Sequence, residues 1–453
     1  MWTREIKMIE AVIDRRRENI MKSPKRGGSC HDDSLPYLRE LGVQITEKRQ
    51  AIQFTTNVNE CVHRWAPYVQ GFSATFVQSV FERYSQTYNS PKVLDPFAGC
   101  GTVLVQAKID GYESFGVELN PLLKHIADVK LNSWTVRPSQ LLKIYHQLRK
   151  DVLIPEPPFL KSARQFNAQV LTNLKRVKGG IDSFIPKTRE QQKIKDLLNV
   201  AFASILIDCS NLKRTPCLGY WKDKNVDDNA PFVLFNKKVL EMSEDLRLLQ
   251  SEYKENLLTR SEVVCANSMQ YEYRDKYDLV ITSPPYMNGL DYVMNYKIEM
   301  AWLGFITAHK EAKAIKDDMV VCDNVSKGLI KDFVMSQYYT NSWLDEITER
   351  ISRNIQTRQA YRRTDMPFIV RKYFDDMNRV IERVSRALNK DGRFILVVGD
   401  SLIADTYVPT DLILAKMGSE HGLDVESIEL ARSRHSGQVR DYVLRETVVT
   451  LRK

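Results

Sequence analysis

The stretch that decides the fold is Lys92–Thr102, KVLDPFAGCGT, which predicts a short strand, a glycine turn and the start of a helix. Gly99 and Gly101 permit positive φ angles and the close approach of a ligand to the backbone. The helix that begins at Thr102 presents free N–H groups at the same place. No lysine follows the second glycine, which excludes the common phosphate-cradling loop. Asp95, at the end of the strand, instead favours a ligand that carries an ammonium group or another donor.

The next strand also ends in an acidic residue. Glu113–Asn120, ESFGVELN, places Glu118 at the strand tip, where a carboxylate can accept hydrogen bonds from ribose hydroxyls. Strand and helix therefore alternate over residues 90–135, which predicts parallel βαβ units. Residues 136–260 are mostly helical in period and predict an insertion into the sheet. Beyond it we predict strands over 262–267 and 278–283, helices over 373–388 and 410–420, a strand over 393–398, and an antiparallel pair over 425–430 and 442–451.

A second motif follows one of these strands. In Asp278–Tyr286, DLVITSPPY, an apolar run is followed by a hydroxyl residue, two prolines and an aromatic residue. Two prolines cannot continue the strand ladder, so the backbone leaves the sheet at its carboxyl edge in a stiff shape. Open α/β sheets bind their ligands at that edge. The hydroxyl, the freed carbonyls and the aromatic face suit a planar nucleobase whose exocyclic amine must be held.

These motifs together resemble the amino-group DNA methyltransferases that use S-adenosylmethionine. Asp95–Gly101 looks like their cofactor loop, and Ser283-Pro284-Pro285-Tyr286 looks like their catalytic loop. His63–Tyr84 is similar to their upstream segment, and Val263–Ser268 to their third cofactor strand. The resemblance implies a mainly parallel, seven-stranded Rossmann-like sheet, with S-adenosyl-L-methionine as cofactor. Double-stranded DNA with a flipped-out base would be the substrate, and a restriction–modification role with a cognate endonuclease as partner follows from the same resemblance.

The resemblance also assigns residues. The catalytic loop comprises Ser283, Pro284, Pro285 and Tyr286. The implied cofactor-binding residues are Phe72, Ser73, Asp95, Pro96, Phe97, Gly99, Gly101, Thr102, Glu118, Asn120, Asn267 and Ser268. Of the chain's three expected parts, residues 1–60 form a basic N-terminal region, 61–135 with 262–453 form the catalytic domain, and 136–261 form the insertion that is the candidate for target recognition.

The chemistry of the catalytic loop follows from the weak nucleophilicity of an exocyclic amine. Accepting its N–H hydrogens frees the nitrogen lone pair, and we assign this to the Ser283 hydroxyl and the Pro284 carbonyl. Tyr286 would stack on the flipped base. In the family, Ser before the two prolines is commonest among enzymes that methylate N4 of cytosine, whereas Asp or Asn is usual for N6 of adenine. We expect N4-cytosine methylation, with N6-adenine methylation as the alternative.

Two other readings remain open. An RNA methyltransferase that acts on base amines uses similar Pro-Pro loops, and a DNA-binding relative could keep the fold without turnover. Carbon-5 methylation of cytosine needs a cysteine nucleophile. The Pro216-Cys217 pair lies in the insertion and not after a core strand, which argues against that reaction.

Composition sets the broad class. The chain has 453 residues, 43% of them hydrophobic and 27% charged, as in ordinary globular proteins. Its formal net charge of +9 is compatible with a polyanionic partner. No apolar run is long enough for a membrane helix, and the seven cysteines lack the spacing of a zinc site or a disulfide framework. We expect a cytoplasmic protein without a bound metal or a membrane partner.

Two basic regions are candidates for contact with DNA. In the insertion, residues 210–214 and 220–222 combine amide, basic and aromatic side chains that grip phosphates or read base edges. Residues 350–372 carry six arginines after the catalytic loop. From the two regions we select Lys213, Arg214, Arg362 and Arg363 as candidate DNA-binding residues, and we expect the insertion to be the main recognition element.

Overall fold

The computed structural model describes residues 29–453, apart from 51, 53, 70, 215–216, 288, 290, 323–324, 337, 359–362 and 437–441. The first 28 residues of the predicted N-terminal region and the candidate Arg362 therefore lie outside the described residues. None of the described helices combines the length and the apolar character that a membrane crossing requires.

One large sheet organises the fold. Its strands lie in the order β1-β11-β12-β8-β7-β2-β3-β6. They are β1 Ile45–Glu47, β2 Val93–Asp95, β3 Ser114–Glu118, β6 Ser261–Cys265, β7 Tyr277–Thr282, β8 Leu388–Gly399, β11 Asp424–His435 and β12 Val443–Arg452. Only β12 runs antiparallel to its neighbours β8 and β11, so the predicted mainly parallel sheet and its closing hairpin are confirmed. The sheet has one strand more than the seven expected, because β1 pairs in parallel with β11 at the edge.

The position of the ligand crevice follows from this order. The chain builds outward from β2 through β3 to β6 on one side, and from β7 to β8 on the other. The strand order therefore reverses between β2 and β7, where Val93 pairs with Leu279. Open α/β sheets bind ligands outside the carboxyl ends of the strands at such a switch point.

Helices cover both faces of this sheet. Those outside the insertion are α1 Cys30–Leu41, α2 Ala74–Tyr84, α3 Thr102–Ile109, α4 Pro121–Asn132, α10 Tyr292–Asn295, α11 Lys297–Trp302, α12 His309–Asp317, α13 Lys327–Val334, α14 Ser342–Arg358, α15 Met366–Ala387 and α16 Thr410–Glu420. The predicted helices at 102–109 and 410–420 have the expected bounds. Strand β8 is longer than predicted: it includes residues 390–392, and Asp391 takes a positive φ of 62° within it.

The insertion is helical, as predicted, and it packs against the sheet domain. Its helices are α5 Pro138–Gln147, α6 Ser162–Gln165, α7 Ala168–Ser183, α8 Arg189–Ile205 and α9 Ala230–Glu252, with a small hairpin of β4 Leu212–Arg214 and β5 Leu218–Tyr220. Buried residues of α8 and α9, such as Phe202 and Leu246, share one hydrophobic cluster with Leu104 of α3 and Leu123 of α4. A short hairpin, β9 Ser401–Ile403 and β10 Thr406–Val408, follows β8.

Candidate functional site

The glycine turn after β2 has the geometry that its sequence predicts. Gly99 and Gly101 have φ angles of 52° and 86°, a region that side chains with a Cβ rarely adopt. The N–H of Gly101 donates to the Ala98 carbonyl at 2.7 Å, which closes the turn just before α3 begins at Thr102. Both glycines are buried, so neighbouring side chains enclose the turn itself at the carboxyl edge of β2.

Glu118 is tied to this turn. One carboxylate oxygen accepts the N–H of Gly99 at 2.8 Å, and the other accepts the N–H of Asn120 at 2.7 Å. Burial raises the pKa of Glu118 to about 7, against the opposing effect of these backbone hydrogen bonds. Two parallel strands are thus joined at their tips by one carboxylate.

Asp95 has a different environment from the one expected. It is only 2% exposed, and one oxygen accepts both the Thr282 hydroxyl at 2.7 Å and the Phe97 N–H at 3.0 Å. Burial raises its pKa to about 7, whereas these two hydrogen bonds oppose the shift. Because Thr282 immediately precedes the Ser-Pro-Pro-Tyr loop, Asp95 links the cofactor-loop strand to the catalytic-loop strand.

A single pocket connects the two motifs. Seven of the predicted site residues line it: Phe97, Glu118, Asn120, Asn267, Ser268, Ser283 and Pro285. The sequence did not indicate its other walls, which include Tyr68, Leu123, Tyr292 and the segment 318–320. The glycine-turn side and the proline loop therefore open into the same space.

Several predicted cofactor residues also hold the elements around the pocket in place. Ser268 donates its hydroxyl to the Pro96 carbonyl and so holds the cofactor loop. Asn120 caps α4 by accepting the N–H of Leu122 at 3.0 Å. Thr102 is the first residue of α3 and is buried.

Phe72 and Ser73 do not line the pocket, although the resemblance placed them near the methionine end of the cofactor. The Phe72 ring packs at 5.7 Å from the Phe76 ring, in a cluster with apolar residues of the central strands. The Ser73 hydroxyl caps α2 by accepting the N–H of Phe76 at 3.1 Å. Of this segment, the residue that lines the pocket is Tyr68, and the cofactor contacts expected of Phe72 and Ser73 stay a prediction.

Tyr68 lies directly over the glycine turn. A Cβ added at Gly99 would meet its hydroxyl oxygen at 2.6 Å, so only glycine accommodates this contact. The Tyr68 ring stacks on Tyr292 and Tyr296, with centroids 6.1 and 6.2 Å away. Burial raises the pKa of Tyr68 well above its ordinary value. No sequence signal marked these three tyrosines, because they come from segments more than 200 residues apart.

The catalytic loop is held by hydrogen bonds from distant strands and helices. Tyr373 of α15 donates its hydroxyl to the Pro285 carbonyl at 3.0 Å. Tyr286 donates its hydroxyl to Glu446 of β12 at 2.8 Å. Burial raises the pKa of Tyr286 well above its ordinary value, and the Glu446 carboxylate adds to this effect. The Pro285 carbonyl is thus occupied by a donor from the protein.

The candidate DNA-binding residues differ sharply in placement. Lys213 is exposed on β4, and its ammonium lies 4.3 Å from the centre of the exposed Trp221 ring. Arg214 is buried instead, ion-paired with Glu299 at 2.6 Å and bonded to the Asn295 carbonyl at 2.7 Å. The phosphate contact expected of Arg214 does not fit this position.

Arg363 is also engaged within the protein. Its guanidinium makes two hydrogen bonds to Asp365, at 2.9 and 2.7 Å, and one to the Val325 carbonyl at 2.6 Å. Arg371 pairs with Asp345 at 2.7 Å, and Arg353 lies 3.6 Å from Glu349. These contacts make the arginine-rich segment less suited to gripping phosphates than the insertion. Among the residues that the structure describes, no cluster of three His, Cys, Asp or Glu side chains is arranged to hold a metal ion.

Known proteins with similar sequences include several Type II methyltransferases. The chain is 26% identical to the Type II methyltransferase M.AvaI of Nostoc sp. over 464 residues, covering 94% of this chain and 91% of that protein. It is 22% identical to the Type II methyltransferase M.BsoBI of Geobacillus stearothermophilus, covering 90% and 88%. It is 20% identical to the Type II methyltransferase M.MvaI of Kocuria varians, covering 87% and 89%. No family model matches the chain.

The fold itself rests on the strand order described above. Among solved structures, the rRNA methyltransferase aviRa of Streptomyces viridochromogenes covers 90% of this chain and 96% of its own, at 8% identity and a TM-score of 0.28. That likeness is too weak to add to the argument. The three curated relatives, aligned over nearly their whole length, confirm the resemblance to the amino-methyltransferases that the sequence motifs indicated.

Proposed function

We propose that this protein transfers a methyl group from S-adenosylmethionine to the exocyclic N4 amine of cytosine in double-stranded DNA. The observation that carries the proposal is the single pocket that Glu118, Ser283 and Pro285 line together. A donor held on one side and a base held on the other would meet in that space. The Type II relatives support a restriction–modification role with a cognate endonuclease.

The residues of the pocket suit the proposed cofactor. Glu118 has lone pairs for ribose hydroxyls, and Asn267 and Ser268 stand on the next strand end, where the adenine would lie. The space beside Gly99 is filled by Tyr68, which lines the pocket, so the methionine half of the cofactor would lie against Tyr68 next to the buried turn. S-adenosylmethionine supplies an activated methyl group on a sulfonium; the protein supplies position and charge control.

Asp95 acts indirectly in this scheme. Its carboxylate accepts hydrogen bonds from the Thr282 hydroxyl and the Phe97 N–H. It therefore holds the cofactor loop and the catalytic loop next to each other. An ammonium group of the cofactor could reach this carboxylate only on its remaining lone pairs.

The catalytic loop provides acceptors for the target amine. Ser283 lines the pocket and its side chain also bonds to Tyr286, whereas the Pro285 carbonyl is already satisfied by Tyr373. The assignment of the amine to Ser283 and the Pro284 carbonyl is therefore compatible with the hydrogen bonds of the loop. A serine at this position supports cytosine N4 over adenine N6 within the family resemblance.

The β4–β5 hairpin is the proposed DNA contact of the insertion. Lys213, Tyr220 and Trp221 are exposed on it. Its neighbour Arg214 packs over the Tyr296 ring at 4.6 Å, and Tyr296 stacks on Tyr68 above the glycine turn. The hairpin is thus connected through these contacts to the wall of the pocket, close to the point where a flipped base would enter.

The decisive experiment is base analysis of DNA methylated by the purified protein. Plasmid DNA and total RNA are incubated separately with S-adenosylmethionine, hydrolysed and analysed by mass spectrometry, with Ser283→Ala as the matched control. We expect N4-methylcytosine in DNA and a strong decrease in the variant. N6-methyladenine in DNA, or product only in RNA, would refute the cytosine assignment. Failure to bind the cofactor in calorimetry would indicate a non-catalytic DNA-binding protein.

A further inference from the structure

Three neighbouring strands, β8, β12 and β11, carry a row of paired residues next to the catalytic loop. The register pairs Glu446 of β12 with Gly399 of β8 on one side and with Arg432 of β11 on the other. This row lies at the carboxyl end of β8, the edge where ligands bind. The sequence does not reveal the row, because its members are separated by up to 47 positions and come together only through strand pairing.

A chain of polar contacts runs along the row to the aromatic residue of the loop. The Tyr286 hydroxyl donates to one carboxylate oxygen of Glu446 at 2.8 Å. The other oxygen of Glu446 accepts the Nε–H of Arg432 in an ion pair. Glu446 is only 5% exposed, so these two partners, and not water, satisfy its carboxylate oxygens.

The ring of Tyr286 is confined as well as its hydroxyl. A Cβ added at Gly399 would lie 3.1 Å from the Tyr286 ring and 3.3 Å from the Arg434 guanidinium. The Arg434 guanidinium also donates to the Asp400 carbonyl, at the end of the same strand. Strand β8 therefore leaves just enough room for the aromatic ring. Ring packing and the hydroxyl hydrogen bond together restrict rotation of the Tyr286 side chain.

We propose that Glu446 is a positioning residue that sets the orientation of Tyr286, and that Arg432 in turn holds Glu446. This inference rests on the proposed function and on the prediction from the Ser-Pro-Pro-Tyr motif that Tyr286 stacks on the flipped base. A stacking platform contributes most when its ring is fixed before the base arrives, because no rotamer freedom is then lost on binding. Neither Glu446 nor Arg432 touches the reacting atoms; both act through the phenol.

A double-mutant cycle tests the coupling. The four proteins are wild type, Glu446→Ala, Tyr286→Phe and the double variant, compared by kcat and KM for plasmid DNA and by cofactor affinity. We expect each single variant to lower kcat about tenfold, as for loss of a hydrogen bond to a charged group, with cofactor affinity within about twofold. In the double variant the losses should not multiply, since both remove the same contact.

Two controls separate positioning from general stability. Glu446→Gln keeps an oxygen that accepts the phenol and should recover part of the lost kcat. Glu429→Gln removes another buried carboxylate from the same hairpin, one bound by Arg83 at 3.0 Å, and should leave kcat unchanged.

The outcomes are distinct. Multiplied losses in the double variant, or an equal loss in Glu429→Gln, would overturn the positioning role while wild-type methylation still supports the proposed function. Absence of any methylation by the wild-type protein would refute the proposed function and this inference with it.

Discussion

The two halves of the ligand-binding edge are built differently. On the cofactor half, Asp95, Gly99, Glu118 and Asn120 lie within 26 consecutive residues and are joined mostly by bonds to the backbone. On the target half, the Tyr286 side chain meets a partner 160 residues away, and Tyr373 reaches the Pro285 carbonyl from 88 residues away. The first half is local in sequence, whereas the second is assembled by the sheet.

This difference matches the two tasks that we propose, which are cofactor binding for the first half and positioning of the target base for the second. Short-range backbone contacts shape most of the cofactor half, with the Thr282 hydroxyl bond to Asp95 as its link to the target half. The target half depends on the register of β8, β11 and β12, so residues far from the loop can change its action on the base without affecting the cofactor. Substitutions on the two sides should therefore change different kinetic constants.

The largest separation is expected from Tyr286→Ala. The variant removes the stacking face, which is worth about 1–3 kcal/mol per base, and should lower kcat for DNA by roughly 10- to 100-fold. Cofactor affinity should stay within about twofold, because the nearest predicted cofactor contacts lie on β2, β3 and β6. Steady-state kinetics with plasmid DNA and calorimetry with the cofactor measure the two effects. Equal losses in both would show that the halves are not separable.

The comparison also explains how much could be predicted from the sequence. The elements over 92–120 were correct because strand, glycine turn, helix and acidic strand end are all signalled by neighbouring residues. Ser283–Tyr286 was recognised for the same reason. The residues that surround this loop were not, since Glu446 is one of many glutamates until the β8–β12–β11 register is known.

Tyr68 shows a second limit of the sequence. The upstream segment reaches the pocket, but the residue that lines it is Tyr68 and not Phe72 or Ser73. Aromatic residues in an apolar segment do not reveal which of them faces a core and which a cavity. Only packing decides it: Phe72 fits between α2 and the sheet, and Tyr68 fits over Gly99.

Asp95→Ala should produce the opposite pattern from Tyr286→Ala. It leaves the buried Thr282 hydroxyl and the Phe97 N–H without their acceptor and so loosens the cofactor loop. We expect cofactor affinity to fall about tenfold, with kcat at saturating cofactor changed much less. Calorimetry and rates at high and low cofactor concentration check this. A fall in kcat alone would place Asp95 on the target half.

The two buried carboxyls of the cofactor half should contribute to the pH dependence of stability. Burial raises the pKa of Asp95 from 3.8 to about 7 and that of Glu118 from 4.5 to about 7. Protons bound only by the folded state stabilise it at low pH, and that stability is lost as pH rises through 7, by at most about 1.4 kcal/mol per pH unit for each carboxyl.

Thermal unfolding between pH 5 and pH 8 tests this expectation. The midpoint of the wild-type protein should fall with rising pH, and Asp95→Asn should flatten the slope because the amide cannot ionise. The same slope in both proteins would show that Asp95 is ionised in the folded state across the range.

The smallest effect is expected for Lys213 and Arg214, two neighbours on β4 that should differ in how they change the salt dependence of DNA binding. Lys213 is exposed beside Trp221, so Lys213→Ala should reduce the salt dependence of DNA binding by about one in the slope of log affinity against log salt concentration. Arg214 is buried against Glu299, so Arg214→Ala should lower the unfolding midpoint and leave that slope unchanged. Binding measured from low to physiological salt, with melting curves for both variants, distinguishes them. A changed slope in Arg214→Ala alone would mean that the hairpin opens on DNA, because its guanidinium can reach a phosphate only by leaving Glu299.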